Sequence, residues 1–570
     1  MEKKNLTGYP SIDKPWLKYY LEEAINAPLP ECTMYEYIYE RNQDNLDHIA
    51  LNYYGAKLTY GQLFKKISHM AGALEAAGIQ EGDVVTIAMI NAPDTVCLLF
   101  ALNKIGAVAN MVFGASTPEE LKKWVTDAKS SYVFTIDMFQ EGFAKIANEA
   151  KLKKVIVTNL TESMSAINRI GARLLKGMKP LPLPNDSRFC SWNEFFKDMP
   201  LESRTCHDGD ALAVITYTGG TTGGSKGAAL SNKAVISVTQ QYIWGERNLS
   251  RNSTWMQVIP LFTAYGVTCS MLIPLAVGMT MIIRVPMSET LAAICKKFKP
   301  NHIIYGPAFW EKLADDNEDL DLSYLIAPIS GGDTLRASVE AKINDYLTKH
   351  GSSYCIMNGY GMSEVGAAVS VNFRHAYEFG SVGTPFAQNI ISAFDPETSE
   401  ELQYEQEGEL CLYTPSMMSG YINNKEETDN IIRRHDDGKL WVHSGDLGYI
   451  TKDGFVHISG RLKRFILVPI GDMYKKVFSL DIEKVLLQHP AIENCAVVPM
   501  PTPMGQLPKA FIVLKKEYQD ADSPETDIRD FCKERLDTPY LPAEYRFVDK
   551  FPLTKIGKVD YLALEREYTK

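Results

Sequence analysis

Ala211–Gly227 reads ALAVITYTGGTTGGSKG. Its first half, ALAVITY, is a short apolar run rich in strand formers. Its second half carries the glycines: Thr216–Gly227 holds five glycines, four threonines, one serine and one lysine. A glycine-rich loop that follows a strand lies where ligands bind in open α/β sheets. Glycines let backbone N–H groups approach phosphate oxygens closely. Thr218, Thr221 and Thr222 add hydroxyl donors, and Lys226 adds a positive charge. Taken alone, the stretch reads either as a phosphate cradle or as a flexible linker. It is not the P-loop of nucleoside triphosphatases, which needs Gly-Lys followed by Ser or Thr; here Lys226 precedes Gly227. Nor is it the GxGxxG of a dinucleotide fold.

Working outward, strand-like and helix-like segments alternate. From Leu58, apolar residues at helical spacing (Leu63, Ile67, Met70, Leu74) predict a helix that ends at Gly78 and turns into the strand VVTIAMI. A helix near 95–105, the strand AVANMVF, the helix PEELKKWVTDAK and the strand SYVFTI follow. KVIVT, TWMQVIP, TMIIRV, HIIYG and YLIAPIS are further strands. The alternation predicts an α/β fold with mostly parallel sheets. Near Gly408 the pattern changes: GELCLY, WVHSGDLGYIT and GFVHISG are strands joined by turns, TKDGF supplying a hairpin turn. The segment after Arg461 reads as a compact α+β unit. We therefore expect a large N-terminal domain over 1–462, with a β-rich part at about 380–460, and a small mobile C-terminal domain over 463–570.

Composition bounds the function. The 570 residues carry a formal net charge of −11, which argues against a nucleic-acid binder. The excess acid lies before Lys463, because 463–570 balances 17 Lys+Arg against 17 Asp+Glu. The ten cysteines stand singly, with neither CxxC pairs nor zinc spacing, and this suits a reducing cytoplasm. The N-terminal stretch lacks the apolar core of a signal peptide. The longest apolar window, Cys97–Ala115, is broken by Asn103, Lys104 and Gly106. It reads as a buried helix and strand rather than a transmembrane segment. Ser163–Pro184 is locally basic, with Arg169, Arg173, Lys176 and Lys179 among Ile, Leu and Met. It reads as an amphipathic membrane- or partner-binding piece or as a solvated insertion; Gly171 and Gly177 weaken a helix and favour the insertion.

Five stretches in one order carry a resemblance: TYTGGTTGGSKG, ISGGDTL (329–335), NGYGMSE (358–364), SGDLGYITKDGFVHISGRLKR (444–464) and FPLTKIGKVDY (551–561). Together they resemble the acyl-adenylate-forming (AMP-binding) superfamily of acyl-CoA synthetases, peptide-synthetase adenylation domains and luciferases. The resemblance runs from about residue 33 to 561. It implies that a carboxylate attacks the α-phosphorus of ATP, giving acyl-AMP and pyrophosphate. Such a step rests on positioning and charge stabilisation.

The resemblance also implies roles. Lys558 is the catalytic lysine bridging carboxylate and α-phosphate. Glu364 holds Mg²⁺ together with Thr221, and Ser363 reaches the α-phosphate. Thr218, Gly219, Gly220, Thr221, Thr222 and Lys226 form the phosphate loop. Gly332, Asp333, Asn358, Gly359, Tyr360 and Gly361 surround the adenine, Tyr360 by stacking. Asp446 binds both ribose hydroxyls, with Ile458 and Arg461 beside it, and Lys463 is the hinge. Read without the resemblance, Asp446 is a turn aspartate and Lys558 a surface lysine. His443 and His457 have no acidic or thiol partner in motif spacing and read as structural.

Several positions depart from the family pattern. Gly219 replaces a serine and so gives up a hydroxyl. Ser225 replaces a proline, which predicts a looser loop. Thr263 in PLFTAYG stands where a histidine is usual, and the absence of an acid there favours a plain carboxylate over an amino acid. The stretch after the hinge is longer than usual, and its Tyr474, Lys475 and Lys476 meet CoA phosphates or a carrier protein, or form a solvated turn. Three activities follow. The first is a ligase making acyl-CoA from a fatty or aromatic acid, ATP and CoA. The second loads a carrier-protein phosphopantetheine. The third is a catalytically silent nucleotide-binding protein.

Overall fold

The strand expected in the opening stretch forms as Leu212–Tyr217, and the chain returns beside it, antiparallel, as Gly227–Ser231. Tyr217 faces Gly227 across this hairpin, so the glycine-rich loop is its tip. The sequence reading placed the loop after a strand but did not anticipate the return strand. The computed structural model describes residues 6–175, 178–197, 203–218, 225–286, 288–462, 464–470, 473–503, 505–519, 524–553 and 559–566.

The hairpin belongs to an eight-stranded sheet. Its order is Gly420–Tyr421, Gly227–Ser231, Leu212–Tyr217, Val108–Met111, Val84–Ala88, Tyr132–Ile136, Lys154–Thr158 and Phe189–Ser191. All pairings beyond Leu212–Tyr217 are parallel. A nine-stranded sheet has a parallel centre (Ile49–Tyr53, Thr280–Ile283, Thr254–Gln257, His302–Tyr305, Ala327–Ser330, Met357–Met362) and antiparallel edges. Parallel strands need crossovers, here mostly helices, which cover the sheets and make their strands apolar throughout. Pro93–Lys104 is one such helix, buried along its whole length. Its polar residues find partners inside: Lys66 meets Asp94 at 2.5 Å, and Lys104 Nζ donates to Ser203 and Thr205 hydroxyls at 2.9 Å. Among the described residues no helix is long and apolar enough to cross a membrane.

The β-rich region is an all-antiparallel sheet of Ile390–Phe394, Gly408–Tyr413, Leu440–Ile450, Ile432–Arg434 and Val456–Arg461. Thr451 and Gly454 close the TKDG turn, with Gly454 at φ +94. After Arg461 comes a hairpin, Phe465–Ile470 with Met473–Phe478. Then follow the helix Ser479–Leu486 and a three-stranded sheet of Ile492–Thr502, Gly505–Leu514 and Glu544–Phe547. Ile466, Ile482, Leu486, Ile512 and Ile528 give this segment its own core. Tyr474, Lys475 and Lys476 lie on the second strand of this hairpin.

The segment 163–184 is helical in part. Ala166–Leu175 is a helix, although Gly171 lies within it. A glycine costs a helix only about 1 kcal/mol. Hydrogen bonds from Asn168 to the Tyr54 carbonyl (2.6 Å) and from Arg169 to the Glu162 carbonyl (2.6 Å) fasten the segment to the body.

Candidate functional site

The neck of the glycine-rich loop is tied by three hydrogen bonds. The Thr218 N–H donates to the Lys226 carbonyl (2.9 Å), and the Lys226 N–H donates to Thr218 Oγ1 (3.3 Å). The Ser225 hydroxyl donates to the Thr218 carbonyl (2.9 Å). Ser225 therefore supplies a bond that proline could not make. Gly219, Gly220, Thr221 and Thr222 lie outside the described residues.

Lys226 leads away from the neck toward buried acid. Its ammonium pairs with Glu427 and sits 5.3 Å from the Tyr421 ring centre. The Tyr421 hydroxyl donates to Glu364 Oε1 at 2.6 Å. Glu364 is buried, and burial raises its pKa; the Tyr421 hydrogen bond opposes that rise. It stands on the turn Ser363–Val365, with Ser363 half-exposed beside it. The preceding strand needs glycine at 361, because a Cβ there would lie 1.6 Å from the Ala367 carbonyl oxygen. A register shift between Tyr360 and Gly361 causes this approach and turns the chain toward Glu364.

Asp446 is the second focus. It lies opposite Arg461 across two antiparallel strands. Arg461 Nε meets Asp446 Oδ1 at 2.7 Å, and the Tyr360 hydroxyl donates to Asp446 Oδ2 at 2.7 Å. Both carboxylate oxygens are thus engaged, and ribose hydroxyls would share or displace these donors. The charge of Asp446 raises the Arg461 pKa against desolvation, with Glu364 and Asp333 adding to it. Arg461 pairs with Asp446 and also feels the charge of Glu364. Ile458 is three residues back on the same strand and packs with Tyr360 on the β-rich core.

Gly332 (φ +87) and Asp333 follow the strand Ala327–Ser330, and Asp333 Oδ1 accepts the Thr334 N–H at 2.8 Å. A Cβ on neighbouring Gly331 would lie 2.6 Å from the Tyr265 hydroxyl. Asn358 is buried and donates to the Ser381 carbonyl at 3.2 Å, while Gly359 sits on the same strand. The structure thus gathers the predicted residues into two sets of contacts, Lys226 with Glu364 through Tyr421, and Tyr360 with Asp446 and Arg461. Lys463 and Lys558 lie outside the described residues.

Sequence reasoning missed two sets of residues. The first is Tyr421 with Glu427, whose only signal is tertiary. The second surrounds His443, which does have acidic and thiol neighbours. Its Nδ1 lies 2.8 Å from Glu409 Oε2 and 3.6 Å from Cys411 Sγ, and its Nε2 lies 2.9 Å from His435 Nε2. His457 likewise meets Glu378 at 2.6 Å. These partners sit on adjacent strands or loops, so motif spacing could not reveal them. Cys411, His435 and His443 bring three ligand-type atoms within 4.8 Å, yet the chain Glu409–His443–His435 already pairs the facing nitrogens. Glu409 Oε1 also accepts the Gly445 N–H (3.0 Å), and Ser444 Oγ accepts the Asp446 N–H (3.0 Å). This network pins the turn that aims Asp446. Burial pushes the Glu409 pKa up, but His443 and the Gly445 N–H outweigh it and hold the carboxyl below its usual range.

Comparison with known proteins bears on the family of the chain. The AMP-binding enzyme family model matches residues 38–422, and the AMP-binding enzyme C-terminal domain model matches 481–558. The chain is 28% identical over 561 residues to a long-chain-fatty-acid–CoA ligase of Bacillus subtilis (strain 168), covering 96% of each chain. It is 27% identical over 522 residues to 4-coumarate–CoA ligase CCL1 of Humulus lupulus, covering 89% of this chain and 88% of that one. Its fold is similar to that of the anthranilate CoA ligase AuaEII, solved with anthranoyl-AMP. There the TM-score is 0.79 at 20% identity, over 96% of this chain and 99% of the other.

Proposed function

The chain belongs to the AMP-binding enzyme family, and from that premise we propose that it is an AMP-forming acid–thiol ligase which converts a fatty or aromatic carboxylic acid to its CoA thioester. In the first step a carboxylate oxygen attacks the α-phosphorus of ATP; the bond to the β-phosphate oxygen breaks and pyrophosphate leaves. In the second the CoA sulfur attacks the acyl carbonyl; the bond to AMP breaks, AMP leaves, and the thiol proton goes to solvent. The CoA ligase names of the relatives support CoA as the acceptor.

The observation that carries this reading is the pair of contact sets, Lys226–Tyr421–Glu364 and Tyr360–Asp446–Arg461. Each suits one part of a nucleotide. Lys226 turns its ammonium from Glu427 to the phosphates. Asp446 and Arg461 take the ribose, and Tyr360 takes the adenine. Glu364 is a buried carboxylate with a raised pKa, a site that gains from a hard cation. Glu364 and Thr221 would hold Mg²⁺, which when bound neutralises phosphate charge. Ser363 and Lys558 stabilise the charge that grows on the α-phosphate.

The segment 463–570 turns about Lys463 between the two steps. Its balanced charge and separate core support this. In the present arrangement Arg336 donates to Asn494 at 2.7 Å across the two parts. The absence of an acidic side chain from 260–266 supports a plain acid over an amino acid. Ten free thiols support a cytoplasmic setting.

The test is pyrophosphate release with ATP and magnesium against a panel of fatty and aromatic acids, with and without CoA. We expect acid-dependent release, and acyl-CoA by mass spectrometry when CoA is present. Tight ATP binding with no acid-dependent release from any member would overturn the reading.

A further inference from the structure

The helix Ala166–Leu175 is held from one side only. Asn168 and Arg169 make its bonds to the body, and Ser163, just before it, donates to Asp94 at 2.6 Å. At about 100° per residue, Ile167, Ile170 and Leu174 fall within roughly a 60° arc on the other side. They are 84%, 58% and 79% exposed. The chain beyond continues the same character. Leu181 and Leu183 are exposed, and the backbone there is tied down by the Leu181 N–H to Asp137 Oδ2 (3.0 Å) and by Gln140 Nε2 to the Pro182 carbonyl (2.8 Å). Exposed Met138 lies between those two anchors. The helix stripe alone thus puts three aliphatic side chains in solvent on one face, whereas exposed apolar residues ordinarily scatter singly.

The charge of this face names its partner. Residues 163–184 contain Arg169, Arg173, Lys176 and Lys179 and no Asp or Glu, on a chain of net charge −11; Arg169 is turned to Glu162 just before the stretch (4.0 Å). Arg173 and Lys179 are exposed. We propose that the exposed face of the helix Ala166–Leu175 docks on an anionic lipid bilayer, the helix lying in the plane of the interface with Ile167, Ile170 and Leu174 among the acyl chains and Arg173 and Lys179 against the headgroups. The helix has ten residues, enough to lie on a bilayer and too few to cross it. A protein partner fits less well, because the stripe has no Tyr or Trp to act as an anchor. The proposal does not depend on which acid the enzyme activates.

Co-sedimentation of the full chain with large unilamellar vesicles tests it. One vesicle set is phosphatidylcholine alone; the other contains roughly a third phosphatidylglycerol. We expect sedimentation with the anionic vesicles, weakened by salt and by omission of phosphatidylglycerol. The double variants Ile170→Asp/Leu174→Asp and Arg173→Glu/Lys179→Glu should each lower partitioning about tenfold or more. Carboxylate-dependent pyrophosphate release in the absence of lipid, and the circular dichroism spectrum, should stay as in the parent. The charge-reversal pair keeps the test open if the aspartate pair fails to fold. A parent protein that remains in the supernatant with anionic vesicles overturns the proposal, as do folded variants of both kinds that sediment like the parent.

Discussion

Tyr421 holds Glu364 through a 2.6 Å hydrogen bond, although 57 residues separate them in the chain. The bond restrains a carboxyl that burial drives toward its neutral form. Because the folded-state pKa of Glu364 lies above its ordinary value, its contribution to stability is complete below the unfolded pKa and is lost as pH rises through the folded one. At neutral pH the ionised group therefore burdens the fold.

Glu364→Gln should relieve that burden while keeping an acceptor for Tyr421. We expect the melting temperature at pH 7 to rise by about one or two degrees, with pyrophosphate release falling on the order of 100-fold. The gain should vanish below the carboxylate range. Differential scanning fluorimetry across pH, beside a pyrophosphate assay, checks both; a variant less stable than the parent at pH 7 would remove the argument. Tyr421→Phe leaves Glu364 without its donor, so the acidic limb of the rate profile should move to higher pH.

Asp446 concentrates two charge-assisted or hydroxyl bonds on one buried carboxylate. Asp446→Ala should raise KM for ATP about 10–100-fold, the scale of a lost hydrogen bond to a charged group. Its KM for the acid should move little. Steady-state kinetics with each substrate varied separate the two, and equal effects on both would contradict an assignment to the ribose.

The outline of the fold was legible because local chemistry sets it. The helix at Tyr60–Ala76 begins where Thr59 and Gln62 cap each other reciprocally, and Gly78 at φ +84 ends it. The apolar runs became strands close to where they were read. The site was legible where glycines mark tight backbone, as at Gly361. It was not legible where strand register brings distant side chains together. Cys411 and His443 are opposite partners in a ladder, and nothing in the spacing of either states that. Helix Ala166–Leu175 forms despite Gly171, held by a long-range bond from Asn168 to the Tyr54 carbonyl and a local one from Arg169 to the Glu162 carbonyl.

Glu409 offers a test of the network behind Asp446. Its folded-state pKa lies below the ordinary value, so its stabilisation is present above the unfolded pKa and is lost as pH falls through the folded one. Glu409→Ala leaves the Gly445 N–H and His443 without their acceptor, at a cost of about 1–3 kcal/mol near pH 7. The gap in melting temperature between parent and variant should narrow as pH drops below the carboxylate range. KM for ATP should rise, because the turn carrying Asp446 loosens. A gap that stays constant with pH would mean that packing rather than charge accounts for the residue.

Lys558 separates the two half-reactions. The charge it is assigned to stabilise grows on the α-phosphate during adenylation and is absent when a thiol attacks a preformed acyl-adenylate. Lys558→Ala should slow acid-dependent pyrophosphate release on the order of 100-fold or more. Thioester formation from synthetic acyl-AMP and CoA should stay within a few-fold of the parent. Measured side by side, the ratio of the two rates is the readout, since a general loss of folding would depress both. Equal loss in the two half-reactions of a folded variant would show that Lys558 has no role specific to adenylation.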